Sequence, residues 1–150
     1  MCDCRKQECP VDGKCIAVNL IYKASVKTEK YIETYIGSTW LTFKDGFTKH
    51  KYNFKHEKYS NTTTLSQFIR KLKNNNIDSK INWEILTHKK NKYILKNGCT
   101  LCNFEKIEIL NTKKWESLNK YNELQSGCMH YRKNYLNLCK YYVYTFKQKI

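Results

Sequence analysis

Two neighbouring stretches near the N-terminus combine β-branched, aromatic and polar residues in the way that a β-hairpin requires. They cover residues 18–28 and 31–38, and each contains an isoleucine next to a tyrosine. β-Branched and aromatic side chains are favoured in strands because they pack well on a pleated surface. The pattern therefore predicts two adjacent antiparallel strands early in the chain.

A lysine-rich segment with helical spacing follows the hairpin. Thr42 and Asp45 have the spacing of a capping box, in which two side chains satisfy backbone N–H groups at the start of a helix. After them, residues that would form a stripe along one face of the helix recur every three or four positions. The stripe consists of Phe43, Phe47, His50, Lys51 and Phe54. A second helix is predicted after the threonine run 62–64, with Leu65, Phe68, Ile69 and Leu72 on one face.

Weaker patterns cover the rest of the chain. Residues 81–88 alternate apolar and polar side chains and predict a further strand. A third helix is predicted over 100–111 and a shorter one over 115–125. The residues expected to face inward from the third helix are Phe104, Ile107 and Leu110. The tail over 131–148 has apolar residues at helical spacing, although its tyrosine and valine content also allows a strand.

These elements predict an α+β fold in which a small antiparallel β-sheet is flanked by helices. A length of 150 residues suits one compact domain with one modest core. Within it, we distinguish a cysteine-rich cap over 1–17, a core over 18–126 and a tail over 127–150. No apolar run approaches the ~20 residues that span a bilayer, and the first residues are not apolar. We therefore expect an intracellular protein with no membrane partner.

The formal net charge of +15 narrows the expected partners to polyanions. Lysine dominates the basic residues, and lysine binds phosphate as a point charge, whereas paired hydrogen bonds to base edges come mostly from arginine. The composition therefore predicts contacts with the backbone of a nucleic acid, and for such a partner we expect a nuclear location. A coding bias toward AT-rich codons would produce a similar excess of lysine, asparagine, isoleucine and tyrosine.

Eight cysteines in a chain expected to be intracellular indicate metal binding more than disulfide bonds. Zinc takes four sulfur or nitrogen ligands, and two such sets would hold one or two structural Zn²⁺ ions. The first set is Cys2, Cys4, Cys9 and Cys15, and the second is Cys99, Cys102, Cys128 and His130. The irregular spacing of the first set leaves Cys2 open as a spectator. Buried free thiols are the alternative to both sites.

The order of short motifs along the chain adds a family resemblance. Ile21-Tyr22 lies on the first predicted strand, Tyr35-Ile36-Gly37 lies on the second, and a helix with His50 follows. This order resembles the GIY-YIG nuclease family, which is named after the two motifs. Leu20 stands where the first motif of the family has its leading glycine.

The resemblance implies a site for phosphodiester hydrolysis. The implied catalytic positions are Tyr22, Tyr35, Gly46, His50, Glu105 and Asn119. Tyr22 would be the general base or its relay, Tyr35 would orient water or phosphate, and His50 would hydrogen-bond Tyr22 and help accept the proton. Glu105 would bind catalytic Mg²⁺ or Mn²⁺, and Asn119 would position the site.

One position departs from the pattern of the family. An arginine is expected one turn before His50, where it would hold the scissile phosphate, and this chain has Gly46 there. Another lysine, such as Lys44 or Lys51, is a possible replacement for the guanidinium of the expected arginine. For the metal ligand, Glu108 is the alternative to Glu105. The lysines expected to bind DNA are Lys44, Lys49, Lys51 and Lys55.

A longer ordered set of residues resembles, more narrowly, the endonuclease domains of Penelope-like retroelements. The set comprises Cys4-Arg5, Cys9-Pro10, Gly13-Lys14-Cys15, Leu65-Ser66, Leu72-Lys73, Cys99-Thr100-Leu101-Cys102, Leu118-Asn119-Lys120 and Cys128-Met129-His130. The resemblance implies an endonuclease that nicks target DNA to expose a primer for reverse transcription. Two alternatives stay open: a DNA-binding nuclease fold that has lost cleavage through Gly46, and a zinc-stabilised RNA-binding or interaction protein.

Overall fold

A three-stranded antiparallel sheet with a packed core on each face forms the centre of the protein. The structure is a computed structural model, and it describes Cys2, Cys4, residues 9–88, Ile94, Leu95, residues 98–125 and Gly127. Within these residues, no helix has the length and apolar character needed to cross a bilayer.

The elements alternate between strands and helices along the chain. They are β1 (Val18–Lys27), β2 (Ile32–Thr42), α1 (Phe43–Lys55), a 3₁₀ turn (Glu57–Tyr59), α2 (Thr64–Asn74), β3 (Lys80–His88), β4 (Ile94–Leu95), β5 (Gly98–Cys99), α3 (Thr100–Asn111) and α4 (Tyr121–Gln125). The strand order of the main sheet is β2-β1-β3, and the short strands β4 and β5 pair with each other. The prediction of an α+β fold with a small antiparallel sheet is confirmed.

The central strand β1 is buried on both of its faces. Leu20, Tyr22, Ala24 and Val26 contribute to a core that α1 and α2 complete. Ile21 points to the opposite face and packs in a second core formed largely by α3 and α4. Because β1 lies between two partner strands, its backbone hydrogen bonds are satisfied within the sheet, and it can be apolar on both faces.

Most of the element boundaries agree with the sequence predictions. The hairpin, the second helix, the strand over 81–88 and the helix over 100–111 are present. The capping box of α1 is formed by Thr42 and Asp45, as predicted. The predicted helix over 115–125 is shorter and begins only at Tyr121. Lys51 is exposed and does not belong to the buried stripe of α1.

The prediction for the buried face of α3 was wrong. The helix buries Leu101 and Ile109, whereas the three residues expected inside are each at least 37% exposed: Phe104, Ile107 and Leu110. Glu105 lies four residues from both buried residues and therefore on their side of the helix. Its carboxylate hydrogen-bonds Ser38 of β2, so this contact and the two buried residues lie on the face of α3 that turns toward the sheet.

Candidate active site at the edge of the sheet

Tyr22 and His50 form a buried hydrogen-bonded pair beneath helix α1. The Oη atom of Tyr22 lies 2.7 Å from Nε2 of His50. Aromatic rings, including Phe54 and Trp83, surround the imidazole. Burial, with a smaller contribution from the charge of Lys49, lowers the pKa of His50 to about 4. The imidazole is therefore neutral at neutral pH and can accept the phenolic hydrogen at Nε2.

Gly37 provides the space in which the Tyr22 phenol lies. A Cβ atom at this position would lie 2.5 Å from the Oη atom of Tyr22 and 2.9 Å from a ring carbon of Tyr35. Any larger residue would therefore displace two buried rings, whose centroids are 6.4 Å apart. Gly37 is also the cross-strand partner of Tyr22. The ring of Tyr22 can therefore lie over the last residue of the second motif, because that residue has no side chain.

The outer edge of β2 is paired with the segment that precedes α4. The N–H of Thr34 donates to the carbonyl of Glu116 at 2.6 Å, and the N–H of Leu118 donates to the carbonyl of Thr34 at 2.8 Å. Asn119 continues this pairing with its side chain, because Oδ1 accepts from the N–H of Ile36 at 2.8 Å and Nδ2 donates to the Ile36 carbonyl at 2.9 Å. Asn119 therefore fixes the position of the edge strand next to the two tyrosines.

Glu105 reaches the same edge from the other face of the sheet. The Oγ atom of Ser38 donates to Oε2 of Glu105 at 2.9 Å, and the backbone of Ser38 also hydrogen-bonds the carboxylate. Burial raises the pKa of Tyr22 and of Tyr35, and nearby charges that include Glu105 raise both values further. The carboxylate and the phenols therefore lie close enough to interact electrostatically around the edge of β2.

Glu123 is a site residue that the sequence analysis missed. Its Oε2 atom accepts from Nδ2 of Asn119 at 2.7 Å, and its Oε1 atom accepts from Oγ1 of Thr64 at 3.1 Å. Its charge acts on both Tyr35 and Glu105. The available signal was its spacing of four residues from Asn119, which brings side chains together on a helical turn. Glu123 connects α2, the Asn119 segment and the edge of β2.

The environment of Glu105 suits a hard cation. Burial raises the pKa of this carboxyl group, hydrogen bonds from Ser38 lower it, and the charge of Glu123 raises it again. A nearby cation favours the ionised form of such a carboxylate. Mg²⁺ prefers oxygen ligands and is often bound by one or two carboxylates together with phosphate and water. The residues present therefore fit one such ion.

Gly46 leaves an open position on the side of α1 that faces β2. The nearest neighbours of a Cβ atom here would be atoms of Thr39, at 3.8–4.0 Å, which is ordinary van der Waals contact. The position is four residues before His50, so the two residues lie on the same side of the helix. A longer side chain at residue 46 would therefore start near the candidate site without a steric conflict at its Cβ atom.

The four predicted DNA-binding lysines divide between two sides of α1. At about 100° per residue, Lys49 lies on the same side of the helix as Gly46. Lys44, Lys51 and Lys55 form a stripe on the opposite flank, and Nζ of Lys51 lies 5.5 Å from the ring centroid of Phe47. Lys49 is therefore closer to residue 46, where the family resemblance leads us to expect an arginine, than Lys44 or Lys51, which the sequence analysis considered.

Four N-terminal cysteines form a separate cluster at the start of β1. The sulfur atoms of Cys2, Cys4, Cys9 and Cys15 all lie within 4.8 Å of one another, close enough to bind a metal ion. The Sγ atom of the buried Cys15 is 3.1 Å from that of Cys2, so Cys2 belongs to the set. Hydrogen bonds with Cys2 and Cys15 raise the pKa of the Cys4 thiol to about 12, so a thiolate here needs a cation beside it.

The second predicted zinc set is described only in part. Cys99 and Cys102 lie at the start of α3 and are partly buried. Cys128 and His130 lie outside the described residues, so the second site stays a prediction.

Comparisons with family models, with curated proteins and with solved structures gave no significant match to this chain. The interpretation of the site therefore depends on its own geometry.

We expect the free energy of unfolding to fall as the pH is lowered from about 6.5 to about 4. Below about 6.5, the unfolded chain protonates residue 50, whereas the folded protein keeps its imidazole neutral until about pH 4. The unfolded state therefore binds more protons in this window. Urea unfolding at several pH values measures this effect. The free energy of unfolding should depend less steeply on pH in His50→Gln than in the wild type. His56→Gln, at an exposed position after α1, controls for the replacement of a histidine as such.

Proposed function

We propose that this chain is a metal-dependent DNA endonuclease of the GIY-YIG type. The observation that carries the proposal is the convergence of Tyr22, His50, Glu105 and Asn119, which are far apart in the sequence, at one edge of the sheet. Phosphodiester hydrolysis needs a proton acceptor for water and a carboxylate that holds a hard cation, and this edge combines the two. The net charge of +15 supports a polyanionic substrate.

In the proposed mechanism, Tyr22 and His50 together accept the proton of the attacking water. Burial raises the pKa of Tyr22 well above its ordinary value, so the phenol keeps its hydrogen at neutral pH and cannot accept a proton until that hydrogen has moved away. Transfer of its hydrogen to Nε2 of His50, 2.7 Å away, allows the phenolic oxygen to take a proton from water. The water oxygen then forms a bond to phosphorus while the ester bond to the leaving oxygen breaks. Tyr35 stays protonated and would orient water or a phosphate oxygen through its hydroxyl group.

Glu105 would hold the catalytic Mg²⁺ or Mn²⁺. When bound, the ion supplies charge stabilisation to the phosphate oxygens. Ser38 fixes the orientation of the carboxylate, and Glu123 adds a second negative charge nearby. Asn119 holds the edge strand against these groups through both polar atoms of Ile36.

The cysteine cluster at the N-terminus would hold a structural Zn²⁺. Four thiolates are a common zinc ligand set, and no other group is then needed for tetrahedral coordination. The narrower resemblance to Penelope-like retroelements suggests that the cleavage is the nicking of target DNA during integration. A second candidate function is DNA binding without cleavage, and the glycine at residue 46 favours it.

Mg²⁺-dependent nicking of supercoiled plasmid DNA tests the proposal. We expect slow nicking by the chain and a fall to background, about tenfold, in Glu105→Ala, because the arginine that would stabilise the transition state is absent. Glu29→Ala, which removes an exposed carboxylate from the loop between β1 and β2, is the matched control. Loss of activity in Glu108→Ala rather than in Glu105→Ala would assign the metal to the alternative residue.

The same assay separates the other functions. DNA binding at moderate salt without any nicking would support the DNA-binding module. An absence of both nicking and DNA binding would contradict the proposal and leave the zinc-stabilised interaction protein.

A further inference from the structure

Three aromatic rings form a cluster on the outer surface of the protein where α1 ends. The cluster consists of Tyr52 and His56, whose ring centroids are 4.2 Å apart, and Tyr59, whose ring lies 5.4 Å from that of Tyr52. Tyr52 is 49% exposed, and His56 is also exposed. The last turn of α1 and the 3₁₀ turn hold the rings in place, because the N–H of His56 donates to Tyr52 and that of Tyr59 to His56. We call these three residues the ring cluster.

Three lysines neighbour the ring cluster along the chain. Lys51, Lys55 and Lys58 are all exposed, and Nζ of Lys58 lies 5.8 Å from the ring centroid of Tyr59. Glu57 is the acidic residue in the segment 51–59. The surface therefore combines partly exposed aromatic rings with an excess of positive charge.

The ring cluster does not belong to the candidate active site. Tyr52 lies about 200° around the helix from His50, which faces the core. Lys44, Lys51 and Lys55 lie on the flank of α1 opposite Gly46, so they are directed away from the position of the missing arginine. These lysines need an explanation other than contact with the scissile phosphate.

We infer that the ring cluster and the lysines beside it bind an unpaired stretch of DNA outside the cleavage site. Bases stack on aromatic side chains, and lysines contact the phosphates between them. In a duplex, the faces of the bases are already stacked on one another, so the rings can engage only bases that are unpaired. The basic charge of the surface favours a polyanion over an apolar protein partner.

The affinity for single-stranded DNA tests this inference. The full chain carrying Glu105→Gln, without added Mg²⁺, would be titrated into a fluorescently labelled thymidine oligonucleotide and into a duplex of equal length. Replacing Tyr52 and Tyr59 together by alanine is expected to weaken binding of the single strand about tenfold or more. Binding of the duplex is expected to change less than about twofold, because lysine contacts with phosphate persist.

Matched variants separate stacking from other causes. Tyr52→Phe with Tyr59→Phe keeps the rings and should retain the affinity for the single strand. Tyr121→Ala removes a ring that is 54% exposed on α4 and should also retain it. A probe with 2-aminopurine in place of a base should be quenched by the parent chain and by the phenylalanine variant, and not by the alanine variant. Thermal unfolding of each variant checks that the fold is intact.

Three results would overturn the inference: unchanged binding of the single strand by the alanine variant, an equal loss for single strand and duplex, or tighter binding of an RNA strand than of the DNA strand. The inference relies on the proposed function only for naming DNA as the polynucleotide. Because binding is measured without cleavage, the two proposals can fail separately. A chain whose binding of single strands depends on the rings, but which never nicks DNA, would refute the proposed function and support the inference about the ring cluster.

Discussion

Replacing Gly46 with arginine is expected to raise the rate of Mg²⁺-dependent nicking by about 10²–10³-fold. The new side chain would start beside Thr39 of β2, on the side of α1 that carries His50. A guanidinium there can form two parallel hydrogen bonds to a phosphate and offset the charge that develops in the transition state. The surroundings of the Cβ position allow the substitution, since its nearest neighbours lie at 3.8–4.0 Å.

Two further variants at this position identify the cause of any gain. Gly46→Ala removes the cost of glycine within a helix, which is about 1 kcal/mol, without adding a cation. Gly46→Lys adds a cation that cannot form the paired hydrogen bonds of arginine, so we expect an intermediate rate. Glu105→Ala introduced into the arginine variant should remove the gain, because both groups would act on the same phosphate.

Equal nicking rates for Gly46→Ala and Gly46→Arg would contradict this account, since the effect would then come from helix stability. Nicking by the arginine variant alone, with none by the natural chain, would support the nuclease fold that has lost cleavage. The experiment therefore decides between the proposed function and its nearest alternative with a single residue.

Local signals in the sequence were sufficient for most elements. The start of α1 was predictable because Thr42 and Asp45, which cap it, are only three residues apart in the sequence. The buried face of α3 could not be predicted in the same way. Its apolar residues point in several directions around the helix. Which of them face the sheet depends on packing against residues distant in the sequence, and the contact between Glu105 and Ser38 lies on the buried side.

For the candidate site, the sequence predicted which residues take part but not how they are arranged. The residues were chosen from the order of motifs along the chain, not from helical or strand spacing. The roles of Gly37 and Ser38 depend on which residues pair across β1 and β2 and on how α3 reaches the edge strand. Neither relation is encoded in a local pattern. The sides of α1 on which Gly46, Lys49 and Lys51 lie could have been predicted, because helical geometry alone gives their directions.

Loss of the metal from the N-terminal cysteine cluster is expected to remove a large part of the stability of the protein. Cys15 is 1% exposed, and its carbonyl accepts the N–H of Lys44 at 2.8 Å. The carbonyl of Ala17 accepts the N–H of Phe43 at 2.9 Å. These two N–H groups belong to the first turn of α1, where the helix itself provides no acceptor. The cluster therefore helps to fix the start of the helix that carries His50.

Cys15→Ser is expected to lower the free energy of unfolding by about 4 kcal/mol or more, because it would remove a buried ligand of the proposed zinc ion. Urea unfolding would measure the loss, and elemental analysis should show about one zinc ion fewer per chain. Cys139→Ser is the matched control, since this cysteine belongs to neither predicted set. Cys99→Ser tests the second set independently, and a further decrease in zinc would support it.

A chelator separates a zinc site from a cluster of free thiols. If zinc is bound, chelation should destabilise the wild type and the Cys139→Ser variant to about the level of Cys15→Ser, and it should leave Cys15→Ser itself nearly unchanged. If the thiols are free, chelation should change none of the three proteins, and Cys15→Ser should cost only the small penalty of a buried hydroxyl. Because the cluster holds the first turn of α1, a bound zinc ion also predicts that a zinc-selective chelator, used in excess Mg²⁺, slows nicking, although the cysteine cluster is separate from the candidate active site.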